Sequence, residues 1–267
     1  MNNAYINEKY KSICDAIYSK NIEKIKILIP SHESFMEITN SKLPNILLYP
    51  EVISNDEISD YLLSIIDIDC MTSYRTNNPY LMPGDIDITV LAYTILGDNA
   101  GSPVYDDNYD YCHKLFSRTK NINKLHEKNY TILSMALFRL SGSWREMYIN
   151  IHINIIKMLI DFGADPYIQA GDYGSSFCIA TWICRGREIE LLEILLNNKY
   201  NKYIPINVLW FVITRIRDRH IYDIIEFILP YIADINEPIF GNTILKHAHN
   251  EYRDKNIIEL LEANGAF

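Results

Sequence analysis

Asn154-Ile-Ile-Lys-Met-Leu-Ile-Asp-Phe-Gly-Ala-Asp-Pro166 is the stretch from which the fold is read, because it returns twice further on. Asp223-Ile-Ile-Glu-Phe-Ile-Leu-Pro-Tyr-Ile-Ala-Asp-Ile-Asn236 is the second copy, and Asn256-Ile-Ile-Glu-Leu-Leu-Glu-Ala-Asn-Gly-Ala-Phe267 the third. With the pairs Ile155-Ile156, Ile224-Ile225 and Ile257-Ile258 aligned, an alanine falls nine residues after the first isoleucine each time, at Ala164, Ala233 and Ala266. Self-similarity at a fixed internal spacing is the mark of stacked repeats.

Each copy reads as a short amphipathic helix. Ile155, Ile156, Leu159 and Ile160 share one face, with Lys157 and Asp161 off it. Phe162-Gly-Ala-Asp-Pro166 ends the helix, since Gly163 can adopt the left-handed cap conformation and Pro166 cannot continue the helix. Upstream lies a second motif, Asn129-Tyr-Thr-Ile-Leu-Ser-Met-Ala136, matched by Gly241-Asn-Thr-Ile-Leu-Lys-His-Ala248. Thr131 and Thr243 stand at the N-cap position of a further apolar helix.

A unit of turn, helix, helix and turn resembles the ankyrin repeat, which opens on Thr-Pro-Leu-His-x-Ala. Gly241-Asn-Thr-Ile-Leu with Ala248 is similar to that opening, and Asn264-Gly265-Ala266 to its close. Ile132 and Ile244 replace the family's proline, and the histidine stands one place late, at His247. The resemblance implies an all-α ankyrin-type solenoid, in one domain over 1–267, of six or seven degenerate repeats. Residues 1–30 would form an N-terminal capping helix pair, and 239–267 the last repeat.

The intervening chain fits unevenly. Ile13, Ala16 and Ile17, then Ile22, Ile25, Leu28 and Ile29, predict a first helix pair ending at Pro30, with Met1 to Glu8 as a polar cap. Ile58, Tyr61, Leu62, Ile65 and Ile66 predict another helix, within the poorly legible residues 31–80. Thr89 to Leu96 open the next repeat, and its second helix is expected near Tyr109 to Phe116 because Asn121-Ile-Asn123 occupies the turn place of Asp234-Ile-Asn236. Two long loop insertions are expected, at Gly97 to Asn108 and at Ser141 to Asn150. They carry Tyr105, Tyr148 and Trp144, with Tyr109 next to the first, and aromatic side chains of this kind anchor interfaces.

Apolar residues make up 48% of the chain, ample for a continuous core. No apolar run is long enough to span a membrane, and the start lacks the apolar core of a signal peptide, so a cytoplasmic location is expected. The odd number of cysteines, five, irregularly spaced, suits a reducing compartment; all five read as small core residues. Usage rich in Ile, Asn, Tyr and Lys fits an AT-rich genome.

The net charge of −9 is unevenly placed. Glu51 to Asp110 hold twelve acids against the single base Arg75, a local net of −11. Such a field attracts a basic partner and speeds its capture, where a bland reading gives only solubility. Arg185, Arg187, Arg215, Arg217, Arg219, Arg253 and Lys255 fall near successive inter-helix turns and would line up as a basic strip, read as solvated helix ends. Free nucleic acid is not expected of a chain with this charge and no nucleic-acid motif.

Phosphate-binding glycine loops, the Gly-x-Ser-x-Gly elbow and paired-cysteine metal spacings do not occur in the sequence, and Asp106, Asp107 and Asp110 lack the calcium-loop pattern. No cofactor, no metal and no enzymatic activity are expected. The reading is a monomeric binding protein that masks a basic partner protein, in the manner of an immunity protein. The alternatives are an effector or viral host-range factor engaging a host protein, a scaffold joining two partners, and, in another class, an enzyme with its site in residues 31–110. The partner-binding residues that follow are Asp85, Asp87, Asp98, Tyr105, Asp106, Asp107, Tyr109, Asp110, Lys124, Tyr130 and Trp144.

Overall fold

A computed structural model describes residues 3–39, 46–76, 84–96, 109–141, 146–183, 186–216, 220–251 and 253–267. The described chain is mainly helical, with one two-stranded antiparallel ladder, and it divides into two compact units. The first comprises Met1–Lys128 and Trp144–Ile151, the second Asn129–Ser143 and His152–Phe267.

In the first unit, α1 (Asn3–Tyr18) packs on α2 (Ile22–Leu28), burying Ile13, Ala16, Ile17, Ile25 and Ile29. The expected pair is therefore present, but the expected polar tail is helical from Asn3. Lys20 takes a left-handed φ of 51° to end α1, and its N–H and that of Asn21 return to the carbonyls of Ile17 and Ala16 at 2.9 Å each. Next come α3 (His32–Thr39), α4 (Pro50–Ile53) and α5 (Asp56–Ile65), where Asn55 caps the N-H of Ile58 and Ile58 and Leu62 are buried.

Residues Met71–Thr76 (β1) and Gly84–Thr89 (β2) then pair antiparallel, Met71 opposite Thr89 and Thr76 opposite Gly84. This ladder was not expected. Its signal is the period-two alternation Asp85-Ile-Asp-Ile-Thr89, which competes with a helical reading of a segment already rich in apolar residues. It feeds directly into α6 (Val90–Leu96), whose N-cap Thr89 accepts from the N–H of Ala92 at 3.1 Å; α6 packs on both strands and on α7 (Tyr109–Arg118).

The second unit is built from α8 (Ile132–Ser141), α9 (Glu146–Asp161), α10 (Ser176–Ile183), α11 (Glu188–Leu196), α12 (Ile206–Arg215), α13 (Ile221–Ile228), α14 (Ile244–Asn250) and α15 (Lys255–Ala263), the first residues of α9 being assigned to the other unit. The helices form two rows. Helix α10 lies between α8 and α12, and α12 contacts α14; beside them α11 contacts α13, which contacts α15. Ile155, Ile156, Leu159, Ile160, Ile224, Ile225 and Ile257 are buried as the repeat requires, with Lys157 and Asp161 exposed. Residues Glu146–Asn150, expected in the second insertion, instead begin α9, which reaches 16 residues against 9 in α11 and α15.

The helix ends follow the sequence where it supplies glycine. Gly163 has φ 89°, its N–H bonds the Ile160 carbonyl at 2.9 Å, and the Ala164 N–H bonds the Leu159 carbonyl at 2.8 Å. Gly265 at φ 88° and Ala266 repeat this on Glu262 and Leu261. Both pairs of bonds satisfy carbonyls left open at a helix end. The middle copy has the β-branched Ile232 at that place, where a left-handed φ is costly. There the chain leaves α13 through a 3-10 turn at Leu229–Tyr231, and Ala233 is exposed where Ala164 and Ala266 are buried.

Beyond these ends the same turn recurs. The side-chain oxygen of one residue accepts from the N–H two places on: Asp67 from Asp69, Asn121 from Asn123, Asp165 from Tyr167, Asn198 from Tyr200 and Asp234 from Asn236. The closing residue of several turns reaches the next one. The Asp69 carboxylate accepts from Thr119 Oγ1 and the Lys120 N–H; Tyr167 Oη donates to the carbonyls of Asn201 and Tyr203; the Asn236 amide donates to the Gly265 carbonyl and accepts from the Phe267 N–H.

Candidate functional site

Of the residues singled out as partner-binding, Asp85, Asp87, Tyr109, Asp110, Lys124 and Tyr130 lie within the described residues. Asp98, Tyr105, Asp106, Asp107 and Trp144 lie outside the described residues, as does the Gly97 to Asn108 insertion. Asp85 lies in β2 as the register partner of Arg75, the one base of the acidic block. Asp87 is exposed, and its backbone N–H donates to Glu127 Oε2 at 3.1 Å. At the start of α7, Tyr109 is half-buried and Asp110 exposed.

Two of these residues do structural work. Tyr130 is only 2% exposed and meets Phe138 edge to face, with ring centroids 5.5 Å apart. A ring so enclosed cannot contact a partner; it belongs to the core beside the α8 N-terminus, where Thr131 and Ser134 cap each other's N–H groups. The Lys124 ammonium donates to the Asp69 carbonyl at 2.5 Å, holding one turn to another.

The acidic block is also less isolated in space than in sequence. Lys114 of α7 lies outside the block, yet its ammonium is 2.6 Å from Asp56 Oδ1 and 3.1 Å from Asp60 Oδ1. The Asp56 hydrogen bond raises the Lys114 pKa above the ordinary lysine value. Asp69 is occupied by Thr119 and Lys120. The described residues of the expected basic strip are partly engaged within the chain. Arg187 pairs with Glu190, Lys255 pairs with Glu259, and Arg253 donates through Nε and Nη2 to the Ile213 carbonyl and through Nη2 to that of Ile216, closing the end of α12. Arg185, Arg217 and Arg219 lie outside the described residues.

Of the cysteines, Cys112 and Cys178 are buried as expected, and burial pushes their thiols up to about 12 and about 11. Cys14 and Cys70 are half-buried instead, Cys14 Sγ lying 3.6 Å from Tyr49 Oη; Cys184 is outside the described residues. Among the described residues, no group of three or more His, Cys, Asp or Glu side chains is placed to hold a metal ion. No described helix is long and apolar enough to cross a membrane. The second unit carries open grooves, one of about 310 Å³ along Lys157, Asp161, Glu193 and Asn197 between α9 and α11. Such shallow concavities suit contact with a macromolecule better than enclosure of a small substrate.

A second candidate surface was not anticipated. Ile239-Phe-Gly-Asn242 forms a two-residue hairpin tip closed by reciprocal bonds between Ile239 and Asn242, at 2.9 and 3.1 Å. Phe240 is 79% exposed at the summit, its ring 5.1 Å from that of Trp210 on α12. The sequence signal was Phe240-Gly241 before the Thr243 cap, which sequence reading absorbed into the repeat opening. Thr243 itself makes no side-chain cap bond.

No protein-family model matches this sequence, and no curated protein matches it. The functional reading therefore rests on the residues and their geometry.

Proposed function

We propose that the chain is a non-enzymatic binding protein built on ankyrin-type repeats, which engages another protein through its turns and inter-helix surfaces. One observation carries this reading: the same side-chain-to-backbone turn recurs at Asp67, Asn121, Asp165, Asn198 and Asp234, and the helices of the second unit are paired in rows. An arrangement of this kind spends its side chains on holding turns in register and leaves extended surfaces open.

The partner this reading names is a basic protein, masked as an immunity protein masks its target. The support is the acidic segment, of which Asp87 and Asp110 remain exposed in the described structure, with Asp56 and Asp60 sharing a single lysine. Surface charge of this sort acts on capture rate and on salt dependence. The test is recovery of bound proteins from the native cell at low and raised salt, with wild type and with Asp87→Lys/Asp110→Lys. A basic protein retained at low salt, weakened by salt and lost on charge reversal is the expected result. A partner that is acidic and indifferent to salt would remove this reading.

A further inference from the structure

The hairpin tip at Phe240 combines three features that the repeat architecture does not require. First, Phe240 holds φ at +49° and Gly241 at +77°, the pattern of a type I′ turn, which favours Asn-Gly. A bulky aromatic in the left-handed region is an outlier, and such strain collects at functional positions. Second, the Phe240 ring is 79% exposed and meets the ring of Trp210 edge to face. Third, Trp210 Nε1 and Asn207 Oδ1, one helical turn apart on α12, are closed to solvent and have no hydrogen-bond partner. Buried polar atoms are almost always paired, so an orphan donor on the ring that Phe240 touches, with an orphan acceptor one turn away on the same helix, calls for a ligand.

We infer that this tip and the α12 turn beneath it receive an extended, uncharged segment of a partner polypeptide, with Phe240 as a displaceable cover. Every residue of an extended chain offers one C=O and one N–H, the complement of Trp210 Nε1 and Asn207 Oδ1. The segment's apolar side chain would take the other face of Phe240, in the manner of an aromatic anchor. Charge favours an uncharged ligand: from Ile206 to Thr214, α12 has no ionisable residue, and His247, whose ring packs on Trp210, has its Nε2 engaged by the Ile239 carbonyl. The hairpin backbone is held by His247, whose Nε2 donates to the Ile239 carbonyl at 2.9 Å, a tie that does not involve the Phe240 ring. The inference shares with the proposed function the premise of a polypeptide partner, and uses a different surface.

The test selects random linear peptides displayed on phage against the intact chain. Synthetic copies of the enriched peptides are then titrated against wild type, Phe240→Asn, Trp210→Phe and Asp87→Lys. Phe240→Asn gives the turn its preferred residue, so it should raise Tm by about 2–4 °C and weaken the peptides about tenfold. Trp210→Phe should weaken them by about fivefold or more through the lost N–H, N-methylation of one peptide amide should do the same, and Asp87→Lys should leave them unchanged. Absence of enrichment, or peptides indifferent to Phe240→Asn and Trp210→Phe, would overturn the inference. So would a fall in Tm for Phe240→Asn, which makes Phe240 a packing residue, or a concentration-dependent dimer abolished by that variant, which makes a second copy the occupant. Loss of the salt-sensitive basic partner on reversing Asp87 and Asp110 is a separate readout and bears only on the proposed function.

Discussion

His152 makes the second unit sensitive to mild acid. It lies in α9, is 4% exposed, and burial, with Arg139 as a second contributor, pulls its pKa from 6.5 down to about 3. The folded value is depressed below the unfolded one, so the native imidazole stays neutral while the unfolded chain takes up a proton. This contribution is whole above pH 6.5 and is lost as pH falls from there towards 3. At about 1.4 kcal/mol per pH unit, the loss is about 0.8 kcal/mol at pH 6 and about 2 kcal/mol at pH 5, a substantial part of a marginal stability. Urea unfolding followed by far-UV circular dichroism at pH 7, 6 and 5, for wild type and His152→Gln, isolates the term, because every other titrating group is common to both. The variant should start lower at pH 7, having lost a fitted buried ring, and then fall less steeply than wild type by about 2 kcal/mol by pH 5. If the two proteins lose stability in parallel, within about 0.5 kcal/mol, His152 is not held neutral by its surroundings and the reasoning fails.

Arg253→Ala should cost about 2–3 kcal/mol in the same assay, because it strips the carbonyls of Ile213 and Ile216 of a charged donor; Arg253→Lys should recover less than half, lacking the fork. Gly163→Ala and Gly265→Ala should each cost about 1 kcal/mol for a left-handed φ, by thermal melt. Their costs should be similar, because the added Cβ at Gly163 meets only the mobile end of Lys199 and that at Gly265 meets nothing. Lys114→Met should change stability by about 1 kcal/mol or less, since Asp56 and Asp60 are largely exposed, yet it should raise the on-rate of any basic partner at low salt.

The helices that the sequence made legible are those whose apolar spacing repeats and whose ends carry punctuation: α5, α6, α7, and the pairs closing at Gly163 and Gly265. The recurring turn was visible at Asn121 and Asp234, but Asp67-Ile-Asp69 has the same form and passed unnoticed, because it lay in the stretch that no repeat could be fitted to. The start of α9 was lost to a different cause. Glu146-Met-Tyr-Ile-Asn150 has the mixed composition of a loop, and the apolar run that marks a helix begins only at Ile151. Site residues were the least legible. Sequence order counts the charges of Glu51 to Asp110 together, but pairing across space brings in Lys114 from beyond the block, and the Asp69 carboxylate is taken by the Thr119 hydroxyl and the Lys120 backbone N–H. Phe240 escaped because a turn strained against its own residue preference looks, in one dimension, like an ordinary turn.

The ties between successive turns have a bearing on how such a chain can change over time. Asp69 meets the next turn at Lys120, Tyr167 meets it at Asn201 and Tyr203, and Asn236 meets it at Gly265 and Phe267, so the length of chain between one tie and the next is not constant. What the tie fixes is the meeting of two turns, and the path between them is free to lengthen. Strands can be interposed, as β1 and β2 are between Asp69 and Lys120, without disturbing that meeting. New binding material can therefore accumulate between the ties while the turns hold their places, which leaves a family likeness in the turns long after it has gone from the helices.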